Sequence, residues 1–457
     1  MTYRYVGAIK IKSTDTVVLI MNHSQIFEIL ASYNRFWSGE EIKAGIERDL
    51  LRSCLNQVNT KEILVLKGVR RSGKSTLLLQ IMQSLLQQGV DAQNILWVNL
   101  EEPLFTAQAS IEFLEQIYRT WRERICPKGK GYLFLDEIQN IPDWESWVRG
   151  RNDSEDIKIF VTGSSSRMLS REIGTKLTGR QVSFEVYPLS FAEYLHFQGI
   201  TVASELEYVS QKALIRHLFS EYMQFGGFPE VVLQDTYEGK KLLLKNYFED
   251  ILHRDIVARH EIRDVANLHN LAVYLLTNNA RRTSVNKLKA NFSISQDKAE
   301  NYLSAILESY LVFLVRKFEW SLKKVQRAGF KPYAIDTGLR NRVAFSYSSD
   351  SGWLAENIVH NQLRRVYEDV FFAANDQETD FVIKEGMHIA KRIQVWFEDP
   401  SRTQIPEREL AAFADVDGKG ADCLLLTNDL EMEIRSAPVA VHCVPLVKFL
   451  LFTESQE

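Results

Sequence analysis

The stretch GVRRSGKST, residues 68–76, determines how the N-terminal half of this chain is expected to fold. It follows the apolar run EILVL, residues 62–66, and leads into leucines at helical spacing in residues 75–88. Gly68 to Ser75 match the pattern G-x-x-x-x-G-K-[ST] at every fixed position, between a predicted strand and a predicted helix. The sequence therefore predicts a phosphate-binding loop.

Each residue type of this loop suits the binding of phosphates. Glycines let the backbone curl so that successive N–H groups point at one phosphate, beside the positive end of the helix. Lys74 is expected to reach the β- and γ-phosphates, and Ser75 is expected to hold Mg²⁺. The predicted nucleotide-binding residues are Gly68, Val69, Arg70, Arg71, Ser72, Gly73, Lys74, Ser75 and Thr76.

A phosphate loop needs an acidic partner on a neighbouring strand, and GYLFLDEIQNI, residues 131–141, supplies one. Asp136 is expected to orient the water shell of Mg²⁺, and Glu137 to align and polarise the attacking water. No base-reading motif such as N-K-x-D appears where a GTPase would need it. ATP with Mg²⁺ is the predicted nucleotide.

Two further polar sites are predicted beyond these strands. Ser164, at the end of the run IKIFVTGSSS, is expected to sense the γ-phosphate, with Ser165 close behind and a plain serine-rich turn as the alternative. Arg180 is expected to stabilise transition-state charge on the nucleotide of a neighbouring subunit, although it could act in cis or be a surface arginine. Arg167 and Arg171 compete with it for that role.

Strand-like and helix-like runs alternate along this half of the chain. The strand-like runs are EILVL, NILWVNLEEP, YLFLDE and IFVTGSS. Such alternation predicts an α/β fold with a parallel sheet and helices on both faces.

Length and composition limit the remaining possibilities. A chain of 457 residues is long enough for two to four domains, and its net charge of −4 does not mark the whole molecule as a polyanion binder. The four cysteines lie far apart, which argues against a zinc ribbon or a disulfide framework. The apolar run TVVLIM, residues 16–21, is too short to span a membrane, so a cytoplasmic protein is expected, with Met21 as a possible start.

From about residue 21 to its end, the chain resembles the prokaryotic AAA-type ATPases that are fused to a C-terminal domain of unknown function. Its marks include GVRRSGKST, FLDEIQNIPDW, TGSSSRMLS, GGFPEVV, YFEDILHRDIV, KPYAIDTGL and AENIVHNQL, in that order. The resemblance implies a core related to AAA+ and signal-transducing P-loop ATPases. It also implies a helical lid, a winged helix and a fold like that of the PD-(D/E)xK nucleases.

With this resemblance the chain divides into five predicted regions. The turn FGGFPE, residues 225–230, is expected to be either a hinge between core and lid or a structural turn. The regions are an N-terminal extension 1–44, an ATPase core 45–200, a helical lid 201–265, a winged-helix domain 266–345 and a nuclease-like domain 346–457.

The predicted winged helix is basic. Arg281 to Lys331 contain eleven Lys or Arg and four Asp or Glu, a net charge of +7, so the rest of the chain carries −11. Helices are predicted in residues 267–280, in SVNKLKANF and in SQDKAENYLSAILESYLV, and FLVRKFEWSLKK is predicted to form a strand, a turn and a strand. This order predicts a winged helix-turn-helix, and its positive charge indicates that it binds DNA. The alternative is a protein-docking element. The DNA-binding candidates are Arg281, Arg282, Lys287, Lys289, Lys323 and Lys324.

The predicted nuclease-like domain lacks part of the apparatus that the resemblance implies. An active PD-(D/E)xK nuclease has two acids for Mg²⁺ and a lysine beside the attacking water. Glu356 and Asp380 are present, but the acid-x-lysine triplet aligns with Gln394-Val395-Trp396. No nuclease activity is expected, unless another acid such as Glu378 or Glu398 replaces the missing one.

Three hypotheses follow. The first is an Mg²⁺-dependent ATPase that acts on DNA as a motor or nucleotide switch. The second is an ATP-gated signalling or scaffold protein whose C-terminal half binds another protein, with a homo-oligomer possible in either case. The third, an ATP-coupled nuclease, is disfavoured by Gln394 and Trp396.

Overall fold

The computed structural model describes most of the chain. Arg167 and Arg171, the two predicted competitors of Arg180, lie outside the described residues, as do residues 1–20. The described residues are 21–166, 177, 179–345, 351–374, 377–398, 404–413, 420–435 and 439–452.

A parallel sheet forms the centre of the N-terminal half. In the described residues it has five strands in the order β2-β3-β4-β1-β5, so the chain crosses over between neighbouring strands as an α/β fold requires. Phe134 and Phe160 stack with ring centroids 4.2 Å apart, and both side chains are buried. The strands are β1 (Ile63–Lys67), β2 (Ile95–Asn99), β3 (Gly131–Asp136), β4 (Ile157–Gly163) and β5 (Gln181–Glu185).

Helices connect these strands and bury apolar side chains against the sheet. The helix after β1 begins at Lys74, directly after Gly73, and its buried face includes Leu77, Leu78 and Ile81. In the described residues between Tyr33 and β5, the helices are Leu50–Asn56, Lys74–Gln87, Pro103–Thr106, Ile111–Arg124 and Trp144–Ser154, with short 3-10 helices Arg35–Ser38, Ala92–Asn94 and Ile138–Asn140.

The described part of the predicted N-terminal extension packs on this core. Asn22 caps a helix, His23–Tyr33, whose Ile26 and Leu30 are buried in the same apolar cluster as β2 residues. The side chain of Asn34 accepts a hydrogen bond from the backbone N–H of Trp97 and donates one to its carbonyl. Residues 22–34 therefore belong physically to the core.

The helices that follow β5 divide between two apolar clusters. The first helices pack with the C-terminal sheet, and the later ones pack with the three-helix region that comes next. They are Phe191–Phe197, Glu205–Ser210, Lys212–Phe225, Pro229–Val232 and Tyr237–Asp250, followed by a π-helix, Ile251–Ala258.

The turn FGGFPE is held tightly. A Cβ atom on Gly226 would lie 2.0 Å from Oδ1 of Asp336, and one on Gly227 would lie 2.4 Å from the carbonyl oxygen of Leu189. Asp336 also accepts a hydrogen bond from the N–H of Gly227 at 2.7 Å. These contacts favour the structural-turn interpretation over a freely moving hinge.

Three helices and an antiparallel pair of strands follow the π-helix. The helices are Val265–Thr277, Val285–Phe292 and Gln296–Glu308, and the strands are β6 (Val312–Lys317) and β7 (Phe330–Ala334). The predicted second strand is corrected here: its SLKK segment begins a helix, Leu322–Arg327, and the strand lies later in the sequence.

The C-terminal half contains a second sheet, which has eight strands in the described residues, in the order β12-β13-β11-β10-β9-β8-β6-β7. Because β6 and β7 are part of it, the sheet crosses the predicted boundary between residues 345 and 346. The remaining strands are β8 (Val370–Ala374), β9 (Glu378–Glu385), β10 (His388–Trp396), β11 (Asp422–Thr427), β12 (Met432–Ile434) and β13 (Val441–Pro445). The remaining helices are Thr337–Val343, Ser351–Val366, Glu407–Ala411 and Leu446–Phe452.

Among the helices of the described residues, none combines the length and the apolar character that a membrane crossing needs.

Candidate nucleotide site

The predicted phosphate loop lies between β1 and the helix Lys74–Gln87, and its glycines are required by geometry. Gly68 has φ +148°, and a Cβ there would lie 2.2 Å from the carbonyl oxygen of Val186. Gly73 has φ +99° and immediately precedes the helix. Arg71, between them, also has a positive φ of 70°. The backbone therefore curls as a phosphate-binding loop does.

Lys74 projects into the centre of the loop. Its Nζ donates to the carbonyl oxygens of Gly68 and Val69, each at 3.1 Å. The same atom lies 3.5 Å from Oε1 of Glu137. The ammonium group is thus buried between the loop and the predicted water-activating acid.

Asp136 ends β3 beside the start of the phosphate-loop helix. Its carboxylate accepts hydrogen bonds from the hydroxyl groups of Thr162 and Ser75. Burial, and then the nearby charge of Glu137, raise the pKa of Asp136 to about 6. This pair of oxygen-bearing side chains, Ser75 and Asp136, suits a hard divalent cation such as Mg²⁺.

Glu137 has a backbone conformation that is rare for a residue with a side chain, with φ 55° and ψ 49°. Burial alone would raise the pKa of Glu137, but Lys74, a hydrogen bond from Gln139 and the charge of Arg70 lower it. The N–H of Glu137 donates to Oγ1 of Thr162 at 2.9 Å. The strained turn therefore holds an ionised carboxylate next to Lys74.

These groups line one cavity of about 450 Å³. Its walls come from the phosphate loop, the ends of β2 and β3, and the helices beyond β5. The lining residues are Arg70, Arg71, Gly73, Lys74, Ser75, Thr76, Asn99, Glu101, Asp136, Glu137, Pro229, Glu230 and Arg254. Asn99 and Arg254 were not predicted from the sequence.

Ser164 connects the core to the π-helix. Its hydroxyl donates to Oδ1 of Asp255 at 3.1 Å and accepts from Gln139 at 3.4 Å and from Arg259 at 3.3 Å. Ser165 is buried next to it. These contacts place Ser164 beside Gln139, which follows the acidic strand end, and beside the π-helix; its role toward the γ-phosphate stays a prediction.

Asp255 is the residue of this network that sequence reasoning missed. It is 2% exposed, and it accepts hydrogen bonds from Nε and Nη2 of Arg70 at 3.0 and 3.2 Å. Arg70 also lies 2.8 Å from Glu101. The adjacent Arg254 and Asp255 in the segment HRDIV were the available signal, although nothing in the sequence paired them with the phosphate loop.

Arg48 supports the loop from behind and was also missed. Its Nη1 donates to the carbonyl of Ser72 at 2.7 Å, while Nε and Nη2 donate to the two carboxylate oxygens of Glu193 at 2.7 and 3.2 Å. Both side chains are 4% exposed. Glu193 completes a capping box with Ser190, so one acid orders a helix start and the loop support together.

The possible role of Arg180 in cis is corrected by its position. The N–H of Ile63, the first residue of β1, donates to the carbonyl of Arg180, whereas the phosphate loop follows the last residue of that strand. The two ends of a five-residue strand lie about 13 Å apart. Arg180 instead pairs with Asp153 at 2.9 Å. It does not belong to the site formed within this chain.

The six DNA-binding candidates fall into two groups. The guanidinium carbon of Arg281 lies 3.6 Å from the ring centre of Trp353, and that of Arg282 lies 5.5 Å from Phe372. These two arginines pack on the C-terminal half. The four lysines are exposed, on the helices Val285–Phe292 and Leu322–Arg327; they are Lys287, Lys289, Lys323 and Lys324.

The four residues of the predicted degenerate nuclease site lie in the C-terminal half. Glu356 and Asp380 face the same side chain, Lys331, whereas Gln394 donates to Glu409 and accepts from the N–H of Asp380. Trp396 is buried in an apolar cluster with Phe413 and Leu425. Glu378 joins the first two acids, and Glu398 follows β10.

Comparisons with known proteins agree with the core. A family model described as an AAA domain matches residues 60–195, and a model of a domain of unknown function matches residues 216–350. The predicted parallel-sheet core with a phosphate loop is thereby confirmed as an AAA domain.

Relatives cover most of the chain. It is similar to the uncharacterized protein MJ1544 of Methanocaldococcus jannaschii, at 34% identity over 404 residues, which is 85% of this chain and 87% of the relative. It is also similar to an uncharacterized protein of Haemophilus influenzae, at 30% identity over 368 residues, 79% of this chain and 89% of the relative.

Among solved structures, Orc1 of Aeropyrum pernix in complex with DNA is similar at 13% identity with a TM-score of 0.31. That match covers 64% of this chain and 90% of Orc1, and the likeness is too distant to indicate a function.

Proposed function

This chain belongs to the same family as MJ1544 of Methanocaldococcus jannaschii and carries an AAA domain, and on that basis we propose that it is an Mg²⁺-dependent ATP hydrolase that acts as a nucleotide switch. The observation that carries the proposal is the convergence of Lys74, Ser75, Asp136 and Glu137 on one cavity beside a glycine-shaped loop. A tight turn without a ligand would not need a buried lysine between the loop carbonyls and Glu137.

The loop residues have distinct roles in this proposal. Backbone N–H groups of Val69 to Lys74 surround the phosphates, Lys74 neutralises their charge, and Thr76 lies in the first turn of the helix Lys74–Gln87. Ser75 and Asp136 hold Mg²⁺, which when bound neutralises charge that develops on the β- and γ-oxygens. Glu137, ionised at neutral pH, orients a water molecule, and Ser164 responds to the γ-phosphate.

A transition-state arginine is available from the lid side of the cavity. Arg254 lines the cavity from the π-helix, and Arg70 lies on the loop itself. Arg180 would require a homo-oligomer in which it reaches the nucleotide of another subunit. We therefore assign the role within one chain to Arg254.

The hydrogen bonds of Asp255 link the nucleotide site to the π-helix. Asp255 on the π-helix bonds to Arg70 on the phosphate loop and to Ser164 at the end of β4. A γ-phosphate that attracts Arg70 would compete with Asp255 for the same guanidinium group. Binding of ATP would thus be passed to the helices that pack on the C-terminal half.

We interpret the three helices with β6 and β7 as a winged helix, which agrees with their order and with a bridge between Thr283 and Phe330. The boundaries at residues 45–200, 201–265 and 266–345 stay proposals. The final region, 346–457, is proposed to be a nuclease-like fold without nuclease activity.

DNA is the first proposed partner of the winged helix. The lysines Lys287, Lys289, Lys323 and Lys324 are exposed and take part in no ion pair within the described residues. They lie on the helices that come before and after Gln296–Glu308 in the chain, and as exposed cations they would contact phosphates.

A protein partner is the second candidate, and the same helix favours it. Asp297 and Glu300 are exposed on it, whereas its lysine, Lys298, is held by Asp264 at 2.6 Å. This acidic helix face would be repelled by the negatively charged major groove of DNA and would be complementary to a basic protein surface.

Turnover measurements test the enzyme proposal. We expect Lys74→Ala to abolish ATP hydrolysis and Glu137→Gln to bind ATP without turning it over. Hydrolysis that persists in both variants at the wild-type rate would contradict the assignment.

The partner is tested with single-stranded, duplex and forked DNA at low salt. DNA should stimulate turnover, and the paired change Lys287→Glu and Lys289→Glu should remove the stimulation. The matched control, Lys61→Glu with Lys128→Glu, makes the same charge change at exposed sites of the core and should retain it. If no DNA binds or stimulates, the protein-partner function replaces the DNA function.

A further inference from the structure

Three carboxylates in the C-terminal half surround one buried ammonium group. Nζ of Lys331 lies 2.9 Å from Glu356, 2.8 Å from Glu378 and 3.3 Å from Asp380. The lysine side chain is 1% exposed. The three acids come from the helix Ser351–Val366 and from β9, whereas the lysine comes from β7.

The ammonium group is fixed in its charged form. Burial alone would lower the pKa of Lys331, but Glu356, Asp380 and Glu378 raise it above its usual value. Glu356 also accepts a hydrogen bond from the hydroxyl of Tyr333 at 2.6 Å. Asp380 accepts one from the N–H of Val395 at 3.0 Å. Several oxygen atoms of the cluster therefore already have protein partners.

The residues do not fit the divalent metal ion that the resemblance to nucleases implies. Gln394, at the place of the second acid, is committed to Glu409 and to the backbone of Asp380. In the described part of the chain, no group of three or more His, Cys, Asp or Glu side chains is arranged to hold a metal ion. The oxygen atoms lie at hydrogen-bond distances from a nitrogen atom, longer than the ~2.3–2.6 Å of Ca²⁺ ligands.

The position of Lys331 in the fold adds a mechanical consequence. It lies on β7, opposite Val315 of β6, in the strand pair that ends the three-helix region. Its partners lie 25 and 49 residues further along the chain, in the final region. One side chain therefore joins the two regions electrostatically.

We propose that Lys331 is a built-in cation that takes the place of a divalent metal ion among Glu356, Glu378 and Asp380, and that it ties β7 to the C-terminal sheet. The site binds no divalent metal in the natural chain because the ammonium group already occupies the cation position and offsets part of the carboxylate charge. Removal of the ammonium group leaves three carboxylates around a space that a divalent ion can fill after a small inward movement of the oxygen atoms.

Thermal unfolding of the full-length, nucleotide-free protein tests this inference. Lys331→Ala should lower the Tm in EDTA, and millimolar Ca²⁺ or Mn²⁺ should raise the Tm of this variant by roughly 3 °C, as expected for a ligand near a hundredfold excess over its Kd. The wild-type Tm should stay constant. Isothermal titration should show one Mn²⁺ site in the variant that the wild type lacks.

Two further variants isolate the cause. Lys331→Ala with Asp380→Asn removes a ligand, and its Tm should not respond to metal. Lys158→Ala is the matched control, because Lys158 is equally buried but donates to the carbonyl and hydroxyl oxygens of Thr60. It should be destabilised without any recovery in metal.

The opposite results would overturn the inference. Mn²⁺ binding by the wild type that disappears with Asp380→Asn would show a true metal site with Lys331 beside it. A folded Lys331→Ala protein that gains no metal binding would show that the ammonium group does not occupy a cation position. If Lys331→Ala does not fold, Lys331→Gln, which also removes the charge but keeps most of the side-chain volume, takes its place in the same titrations, and absence of Mn²⁺ binding by that folded variant would overturn the inference.

Discussion

Asp136 and Glu137 are neighbours in the chain, yet their surroundings shift their pKa values in opposite directions. Burial and the charge of Glu137 raise the pKa of Asp136 to about 6. Lys74 and Gln139 outweigh burial at Glu137 and lower its pKa. At neutral pH both are ionised, but Asp136 is the one that lies near its titration point and depends on a nearby cation.

We predict that this difference governs the binding of Mg²⁺ with ATP. Asp136 must lose its proton to hold the cation, so affinity should fall about tenfold per pH unit below about pH 6 beyond the change that the nucleotide itself causes. Affinity for an Mg²⁺–ATP analogue, measured by titration calorimetry across this range, gives the profile.

The variant Asp136→Asn supplies the control for that profile, because it keeps the pH dependence of the nucleotide alone. Identical slopes for the two proteins would contradict the prediction.

The effect of Asp136 on folding stability has the opposite sign to its effect on Mg²⁺ binding. The folded-state pKa of Asp136 lies above its unfolded value, so the contribution of this group to the free energy of unfolding falls as pH rises toward 6.

The residues of the site were predictable to the extent that they act through local sequence. Lys74 and Ser75 follow from a spacing that fixes loop geometry, and Asp136 from its place at a strand end. Arg48 and Asp255 act through contacts 145 and 185 residues away in the chain, and no local pattern encodes such pairs. For Arg180 the sequence left the action in cis open, because the motif alone does not show that the residue precedes β5 at the end of the sheet opposite the phosphate loop.

At the scale of elements, the π-helix Ile251–Ala258 is where the nucleotide site meets the rest of the molecule. Its wider turn brings Asp255 inward to Arg70 and Ser164 while Arg254 faces the cavity. Short π-helical turns are often found at functional sites. A conformational change in the phosphate loop would therefore first alter the contacts of this π-helix.

We predict that Asp255→Asn uncouples this element. Loss of this negative charge removes the carboxylate that Arg70 and Arg259 share, and both arginine side chains are largely buried, so the change should cost about 3 kcal/mol of unfolding free energy. ATP turnover should fall about tenfold because the lid no longer holds Arg254 in position. Denaturant unfolding and steady-state kinetics measure the two effects.

The matched control for this change is Glu249→Gln, because Glu249 is a partly exposed acid close by that pairs with His253 at 3.4 Å. It should alter stability by less than about 0.5 kcal/mol and leave turnover unchanged. Equal behaviour of the two variants would show that Asp255 is not a coupling residue.

Helices and strands were predicted well where the hydrophobic periodicity of the sequence was strong, and poorly where one residue weakened the pattern. The second strand was predicted too early, in the segment that ends in SLKK, and the observed strand β7 contains Pro332, a residue that argues against a strand. Pro332 is tolerated because β7 is at the edge of the sheet, where its missing N–H is not needed by another strand. Edge position depends on the whole sheet and is not visible locally.

At the scale of the whole molecule, the second sheet joins two regions, 266–345 and 346–457, that the sequence analysis assigned to separate domains. β6 pairs with β8 across residues Arg316 and Phe371, and the helices after β5 share an apolar cluster with β9 and the helix Ser351–Val366. A change that starts at the π-helix therefore reaches a continuous structure, since β6 and β7 belong to the same sheet as the strands of the final region.

We predict that residues 1–345 do not fold as a stable unit. Removal of the final region would leave Lys331 buried without Glu356, Glu378 and Asp380, a loss expected to exceed about 3 kcal/mol, and would expose the edge of β6. Expressed alone, the 1–345 fragment should aggregate.

Co-expressed with residues 346–457, the 1–345 fragment should co-purify with its partner fragment and bind ATP, because the break falls between the helices Thr337–Val343 and Ser351–Val366. Size-exclusion chromatography and nucleotide binding measure both outcomes, and a monomeric 1–345 fragment with the wild-type Tm would contradict the view that the sheet makes these regions one unit.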